Sequence, residues 1–140
     1  MLVLDTDHMS LLEWGAAESA RLRERLADVS PDDLATTIIS YEEQMRGWMA
    51  YVARAKSMAQ QLKAYRRLRQ HLDNYLQVTV LDFDEAAVEE FQRLQRERIR
   101  IGTMDLKIAA IALSRNATLL SRNTVDFNRV PNLRLEDWTK

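Results

Sequence analysis

The apolar positions of this chain follow two rhythms, short unbroken runs and longer stretches at helical spacing, and their alternation sets the expected architecture. Leu2-Val3-Leu4 is an apolar run that ends in Asp5. Leu34-Ala-Thr-Thr-Ile-Ile-Ser40, rich in β-branched residues, follows a turn marked by Pro31, Asp32 and Asp33. Val78 to Leu81 and Thr118 to Ser121 read as a third and a fourth strand, with Leu133 to Leu135 as a fifth at the sheet edge. Runs without polar alternation suit strands covered on both faces, as in a parallel sheet. From Tyr41 the period changes: Met45, Trp48, Met49 and Val52 fall at i, i+3, i+4 and i+7. Met58, Leu62, Tyr65, Leu72 and Tyr75 continue an apolar seam after a break at residues 53–57, which predicts a helical hairpin over about residues 43–76. Asp84 begins a helix that turns Val88, Phe91 and Leu94 inward, and the stretch from Leu106 to Leu113 is apolar on nearly every side, as in a buried helix. The order β, α, β, αα, β, α, α, β, β predicts one α/β domain over residues 1–140, a parallel sheet of four to five strands flanked by helices through right-handed crossovers.

Composition narrows the chemistry. A chain of 140 residues buries roughly two thirds of the surface its unfolded form exposes and needs no covalent staple. The absence of cysteine excludes disulfides and thiolate-bound metals, and the two histidines, His8 and His71, are far apart, so a metal site here is built from oxygen. The longest apolar run, Ile108 to Leu113, is far short of the roughly 20 residues of a membrane span, and the N-terminus lacks a basic segment followed by an apolar one. A cytoplasmic protein with no membrane partner is expected. The net charge of −1 argues against indiscriminate coating of nucleic acid, but charge is unevenly spread. Residues 43–76 carry seven Lys or Arg against two acids, a local excess of +5. Phosphates are therefore received on selected faces only.

Ligands of open α/β sheets bind beyond the carboxyl ends of the strands. Four polar stations converge on that rim: Asp5 with Asp7, Glu42 or Glu43, Asp105, and Asn123 with Asp126. Each has a plain structural reading. Asp5 or Asp7 can cap the following helix, Glu43 and Asp105 suit a first helical turn, and Asn123 and Asp126 can satisfy their own loop backbone. Capping gives no reason for all four to gather on the ligand-binding side. Carboxylates that close repel one another unless a cation neutralises them, and magnesium or manganese does so with oxygen ligands while activating water toward a phosphodiester.

Leu4-Asp5-Thr6-Asp7, the Glu43-Gln-Met-Arg-Gly47 segment, Ile101-Gly-Thr-Met-Asp105-Leu-Lys-Ile-Ala-Ala110 and Leu120-Ser-Arg-Asn123-Thr-Val-Asp126-Phe127 closely resemble the PIN-domain family, specifically VapC-like toxins of type II toxin–antitoxin systems. The resemblance runs end to end and includes the closing segment Val130 to Trp138. It implies a three-layer PIN-like fold and a magnesium- or manganese-dependent endoribonuclease, acting on RNA as a homodimer and neutralised by a cognate antitoxin. It places the catalytic positions on Asp5, Glu43, Asp105 and Asn123, with metal on Asp5 and Asp105. Glu43 is preferred to Glu42 because it stands four residues before Gly47. Many PIN domains carry an acid where Asn123 stands, so Asp126 is a candidate to compensate, and a second metal is left open.

Thr6 and Ser121 offer hydroxyls that can support the site, and with Asp7 and Asp126 they form its expected surroundings. His8, a lone histidine after a strand, is expected to be a structural donor. Arg46, Lys107, Arg122 and Arg129 are the candidates for gripping RNA phosphates. Trp48, Met49 and Tyr51 read most simply as core or dimer interface. Two competing functions carry distinct signatures. A haloacid-dehalogenase-like phosphatase would use Asp5 and Asp7 as nucleophile and acid, and a PIN-like module without activity would act through its helical hairpin or its antitoxin contacts.

Overall fold

The computed structural model describes residues 1–15 and 17–140. Five strands form one sheet in the order β3-β2-β1-β4-β5, with β1 at Leu2–Leu4, β2 at Leu34–Thr37, β3 at Thr79–Leu81, β4 at Thr118–Leu120 and β5 at Arg134–Glu136. Every pairing is parallel, with Val3 opposite Ala35 on one side and Leu119 on the other. The all-parallel sheet that the unalternated runs predict is thus present.

Period-two alternation divides the apolar residues between two cores. Val3, Ala35 and Leu119 face α5 (Glu85–Arg96) and α6 (Thr103–Ser114), joined by Leu94, Ile108 and Ile111. Leu4 and Leu120 face the opposite way, against α1 (Thr6–Trp14), α2 (Ser19–Leu26) and Tyr75 of α4 (Met58–Leu76). A sheet covered on both faces gives three layers. The near-total burial of α6 follows from its sequence, since Leu106, Ile108, Ala109, Ala110, Ile111 and Ala112 are all buried. Leu119 has no exposed surface in the central part of this sheet. Truncating it to alanine should cost about 2–5 kcal/mol, read as a lowered midpoint in urea unfolding at unchanged slope.

Three sequence expectations are corrected. The second strand ends at Thr37, not Ser40, because Thr37 caps α3 (Ile38–Arg54) by accepting a hydrogen bond from the Ser40 amide at 3.1 Å. The first crossover holds two helices in place of one, since Gly15 takes a left-handed conformation (φ 62°) and stops α1. The apolar seam of the hairpin does not face inward throughout. The buried residues of α3 are Ile39, Ser40, Gln44 and Trp48, and those of α4 are Ala64, His71 and Tyr75. Met49, Met58, Leu62, Tyr65 and Leu72 are exposed, along with Leu76. The inner face of the hairpin meets α1 through Gln44, whose Nε2 donates to Ser10 Oγ at 2.9 Å, and within the hairpin the Tyr75 hydroxyl of α4 donates to Gln44 Oε1 at 2.5 Å. The break between the helices, at residues 55–57, falls within the predicted interval, and Ser57 with Gln60 forms a capping box that restarts α4. Among the described residues, no helix is long and apolar enough to cross a membrane.

Candidate active site

β1 lies between β2 and β4, and the chain leaves it in opposite directions, so the crevice at its carboxyl end is a topological switch point. Asp5 stands there, nearly buried, with its amide bonded to Leu120 O at 3.1 Å. One of its carboxylate oxygens, Oδ1, caps α1 by accepting from the His8 amide at 2.8 Å. The capping reading of Asp5 is therefore correct, and it leaves the second oxygen for the crevice.

Glu43 comes from α3, one and a half turns after its start. Thr6 Oγ1 donates to Glu43 Oε1 at 2.6 Å and is also bonded to Ser40 Oγ at 3.1 Å, so the hydroxyl after Asp5 fixes the carboxylate from the neighbouring crossover. Glu42 turns elsewhere, into an exposed pair with Arg46 at 2.5 Å. Asp105 sits in the first turn of α6, two residues inside its start at Thr103. Burial raises its pKa to about 6, and the charges of Glu43, Asp5 and Asp126 add to that shift. The carboxylates of positions 5, 43, 105 and 126 thus share one field, although they are separated by up to 121 positions in the chain.

Asn123 approaches from the other side. Its amide Nδ2 donates to Asp105 Oδ2 at 3.3 Å and to Asp126 Oδ2 at 3.2 Å, while its backbone N–H donates to Ser121 Oγ at 2.9 Å. The side chain bridges two carboxylates with its nitrogen. Asp126 lies on the short helix α7 (Thr124–Phe127), and its charge acts on Asp105.

The remaining expected residues are less available. Asp7 is held by Arg122 in a two-pronged pair at 2.6 and 2.7 Å, which occupies both partners. Asp5, Asp7 and His8 each offer an atom within 4.8 Å of the others, but Arg122 already neutralises Asp7. The His8 ring is wholly buried, its Nδ1 3.4 Å from Asp5 Oδ1 without a hydrogen bond. Arg129 donates to Arg100 O at 3.0 Å and approaches Asp126 at 3.9 Å. Lys107 lies over the Phe83 ring at 5.8 Å. Of the four cations expected to meet RNA, three are engaged in ion pairs, a fact invisible in a one-dimensional list of basic residues.

Beside Glu43 the site opens into a groove of about 370 Å³ lined by Thr6, Gly47, Trp48, Tyr51 and Arg54. Gly47 and Arg54 were not singled out from sequence as lining residues. The i, i+4, i+8 spacing of Glu43, Gly47 and Tyr51 is the signal that could have found the groove.

Residues 2–133 match the PIN-domain family model. Ribonuclease VapC1 of Haemophilus influenzae (strain R2866) is 30% identical over 124 residues, covering 85% of both chains. The tRNA(fMet)-specific endonuclease VapC of Shigella flexneri is 38% identical over 66 residues, 44% of this chain and 50% of that one. The likeness of fold extends to a solved complex, the DNA-bound VapBC of Salmonella typhimurium, with a TM-score of 0.78 and 26% identity over 98% of this chain and 97% of that chain. A parallel sheet with acids gathered at its switch point, a family match across nearly the whole chain and this likeness to VapC ribonucleases agree: the chain belongs to the PIN-domain family, among its VapC ribonuclease toxins.

Proposed function

We propose that this protein is a magnesium- or manganese-dependent endoribonuclease in which Asp5, Glu43, Asp105 and Asp126 form the acidic centre. The observation that carries the reading is the gathering of Asp5, Glu43, Asp105 and Asp126 at the switch point, tied together by the Thr6 and Asn123 hydrogen bonds, where burial and three like charges push Asp105 up to about 6. Among the described residues, neither Asp105 nor Glu43 has a cationic partner, and the groups that act on Asp105 are the carboxylates of Glu43, Asp5 and Asp126 and the Asn123 amide. That donor set fits a hard divalent cation. Asp5 and Asp105 would hold it, as the family resemblance implies, and when bound it would activate water and stabilise charge on the phosphodiester.

The chain's own residues supply positioning and proton handling. Thr6 holds Glu43 by one oxygen and leaves the other to accept a proton from the attacking water. Asn123 fixes the spacing of Asp105 and Asp126, so it acts as a positioning residue through its two hydrogen bonds. Ser121 orients Asn123 in turn. Water adds to phosphorus as the P–O bond to the departing strand breaks, the proton lost from water passes to Glu43, and the departing oxygen takes up a proton from solvent.

The partner half of the proposal rests on the exposed apolar side chains. Met58, Leu62, Tyr65, Leu72 and Leu76 lie at spacings of four, three, seven and four along α4, one continuous stripe left in solvent. Ile38, Met45 and Met49 line a separate apolar groove on α3. Apolar surface of this extent marks association sites and fits a cognate antitoxin and a second copy of the chain as occupants.

Production of the protein alone in a bacterial host should arrest growth, and Asp5→Asn should relieve the arrest at equal protein level. In vitro, purified protein should cleave RNA with added magnesium or manganese and stop on chelation. Equal arrest by both forms, with no metal-dependent cleavage, would favour the inactive binding module instead.

A further inference from the structure

The groove beside Glu43 does not end on α3. It is lined as far as Tyr51 and Arg54, and both residues also line a second cavity of about 330 Å³ that reaches Lys63. Lys63 in turn borders a third, of about 460 Å³, beside Arg66 and Arg67. These three depressions share Tyr51 and Arg54 at one junction and Lys63 at the other, so they follow one another from the acids to the basic part of the hairpin. The sign of charge changes along it, from Glu43 at the start to Arg54, Lys63 and Arg66 at the far end. Among the described residues these three cations have no ion pair, in contrast to Arg46, Arg122 and Arg129.

The first section of the track has a shape suited to a base. Trp48 and Tyr51 meet edge to face with ring centroids 5.6 Å apart, which braces the Tyr51 ring at the groove wall. Gly47, one turn after Glu43, is exposed and has open space where a Cβ would stand. Glycine in a helix interior lowers helix stability relative to alanine, and nothing in the packing here requires it. What its missing side chain does is leave the groove floor open. Glu43 to Arg54 spans 12 residues of α3, about 16 Å of helix from first to last, enough for a few nucleotides of extended strand.

We infer that single-stranded RNA leaves the acidic centre along this track, with the base next to the scissile phosphate over Gly47 against Tyr51, and the following phosphates on Arg54, Lys63 and Arg66. The inference rests on the ribonuclease reading and adds the path of its substrate. Stacking on aromatic rings combined with a basic groove along the backbone is the general chemistry of single-strand binding.

The test uses two variants of the full chain. Gly47→Leu should keep or raise the melting temperature, because it adds a good helix former in open space, while raising KM for RNA cleavage by about tenfold, the size of losing one stacked base. Arg54→Ala/Lys63→Ala should lower the slope of log affinity against log salt by about 1.4, or 0.7 for each phosphate no longer neutralised. That binding is measured with a fluorescent RNA of about 12 nucleotides in an Asp5→Asn background with magnesium, and Arg96→Ala, on α5 across the sheet, should leave it unchanged. Wild-type cleavage that persists undiminished in both variants overturns the track and leaves the ribonuclease reading intact. Absence of cleavage by the wild type overturns the ribonuclease reading itself, and the salt slope still decides whether RNA follows this path. Should Gly47→Leu fail to fold, the double variant decides alone. If the variants weaken only the binding of a protein partner, the groove is a docking site and the inference falls.

Discussion

Replacing Asp105 with asparagine will reduce RNA cleavage by at least about 100-fold and, in the same protein without metal, increase stability above pH 6. The two effects have one cause. In the folded protein Asp105 keeps its proton up to about pH 6, while the unfolded chain releases it near 3.8. Folding therefore takes up a proton between these values, and stability falls as pH rises through that window. Above pH 6 the folded state carries the full cost of a half-buried charge beside Glu43, Asp5 and Asp126. Discounted for solvent screening, that cost is about 1–2 kcal/mol. Asparagine avoids it and still accepts from Asn123. Urea unfolding in chelator should show no gain for Asp105→Asn at pH 4 and the full gain at pH 7.5, alongside the loss of cleavage. A variant that loses activity and is also less stable at pH 7.5 would show that Asp105 is not held in a repulsive cluster.

Saturating the wild type with manganese will raise its melting temperature by about 9 °C when the ion stands 100-fold above its dissociation constant. An ion that binds only the folded state stabilises it by about 2.7 kcal/mol at that ratio, and a chain of this length converts each kcal/mol into about 3–4 °C. The shift should be lost in Asp5→Asn and Asp105→Asn, which remove the expected ligands. It should persist in Asp7→Asn, because Asp7 is committed to Arg122. Differential scanning calorimetry across a manganese titration measures this directly. An undiminished shift in Asp105→Asn would move the ion elsewhere, Asp5 with Asp7 and His8 being the alternative group.

These two results would separate the protein from the competing phosphatase chemistry. A haloacid-dehalogenase-like enzyme depends on both Asp5 and Asp7, whereas here Arg122 occupies both oxygens of Asp7. The acid that instead joins Asp5 is Glu43, through Thr6 and the field around Asp105.

Much of the fold was legible in the chain because each element carries a local signature. An apolar run too short for a helix and too unbroken for an exposed strand, such as Leu2 to Leu4, has few places to go except a covered sheet. The buried helix from Thr103 to Ser114 follows from having apolar residues on all sides. Boundaries were less legible. Ile38 and Ile39 prefer strands by composition, yet they open α3 because Thr37 caps it, and a single hydroxyl outweighs that weak preference.

The site divides in the same way. The sequence by itself determined which residue types stand at strand ends and helix starts, and so which acids are available at positions 5, 43 and 105. Only the tertiary structure decided how they are used. It turned Glu42 away to Arg46, committed Arg122 to Asp7, and aimed the Asn123 nitrogen at two carboxylates instead of offering its oxygen. It also left the α4 stripe in solvent, because His71 and Tyr75 took the inward positions beside α1. Strand and helix preferences act over a few residues and are written in the chain's local pattern. Charge pairing and exposure depend on neighbours tens of positions away, which become neighbours only when the sheet order brings their elements together.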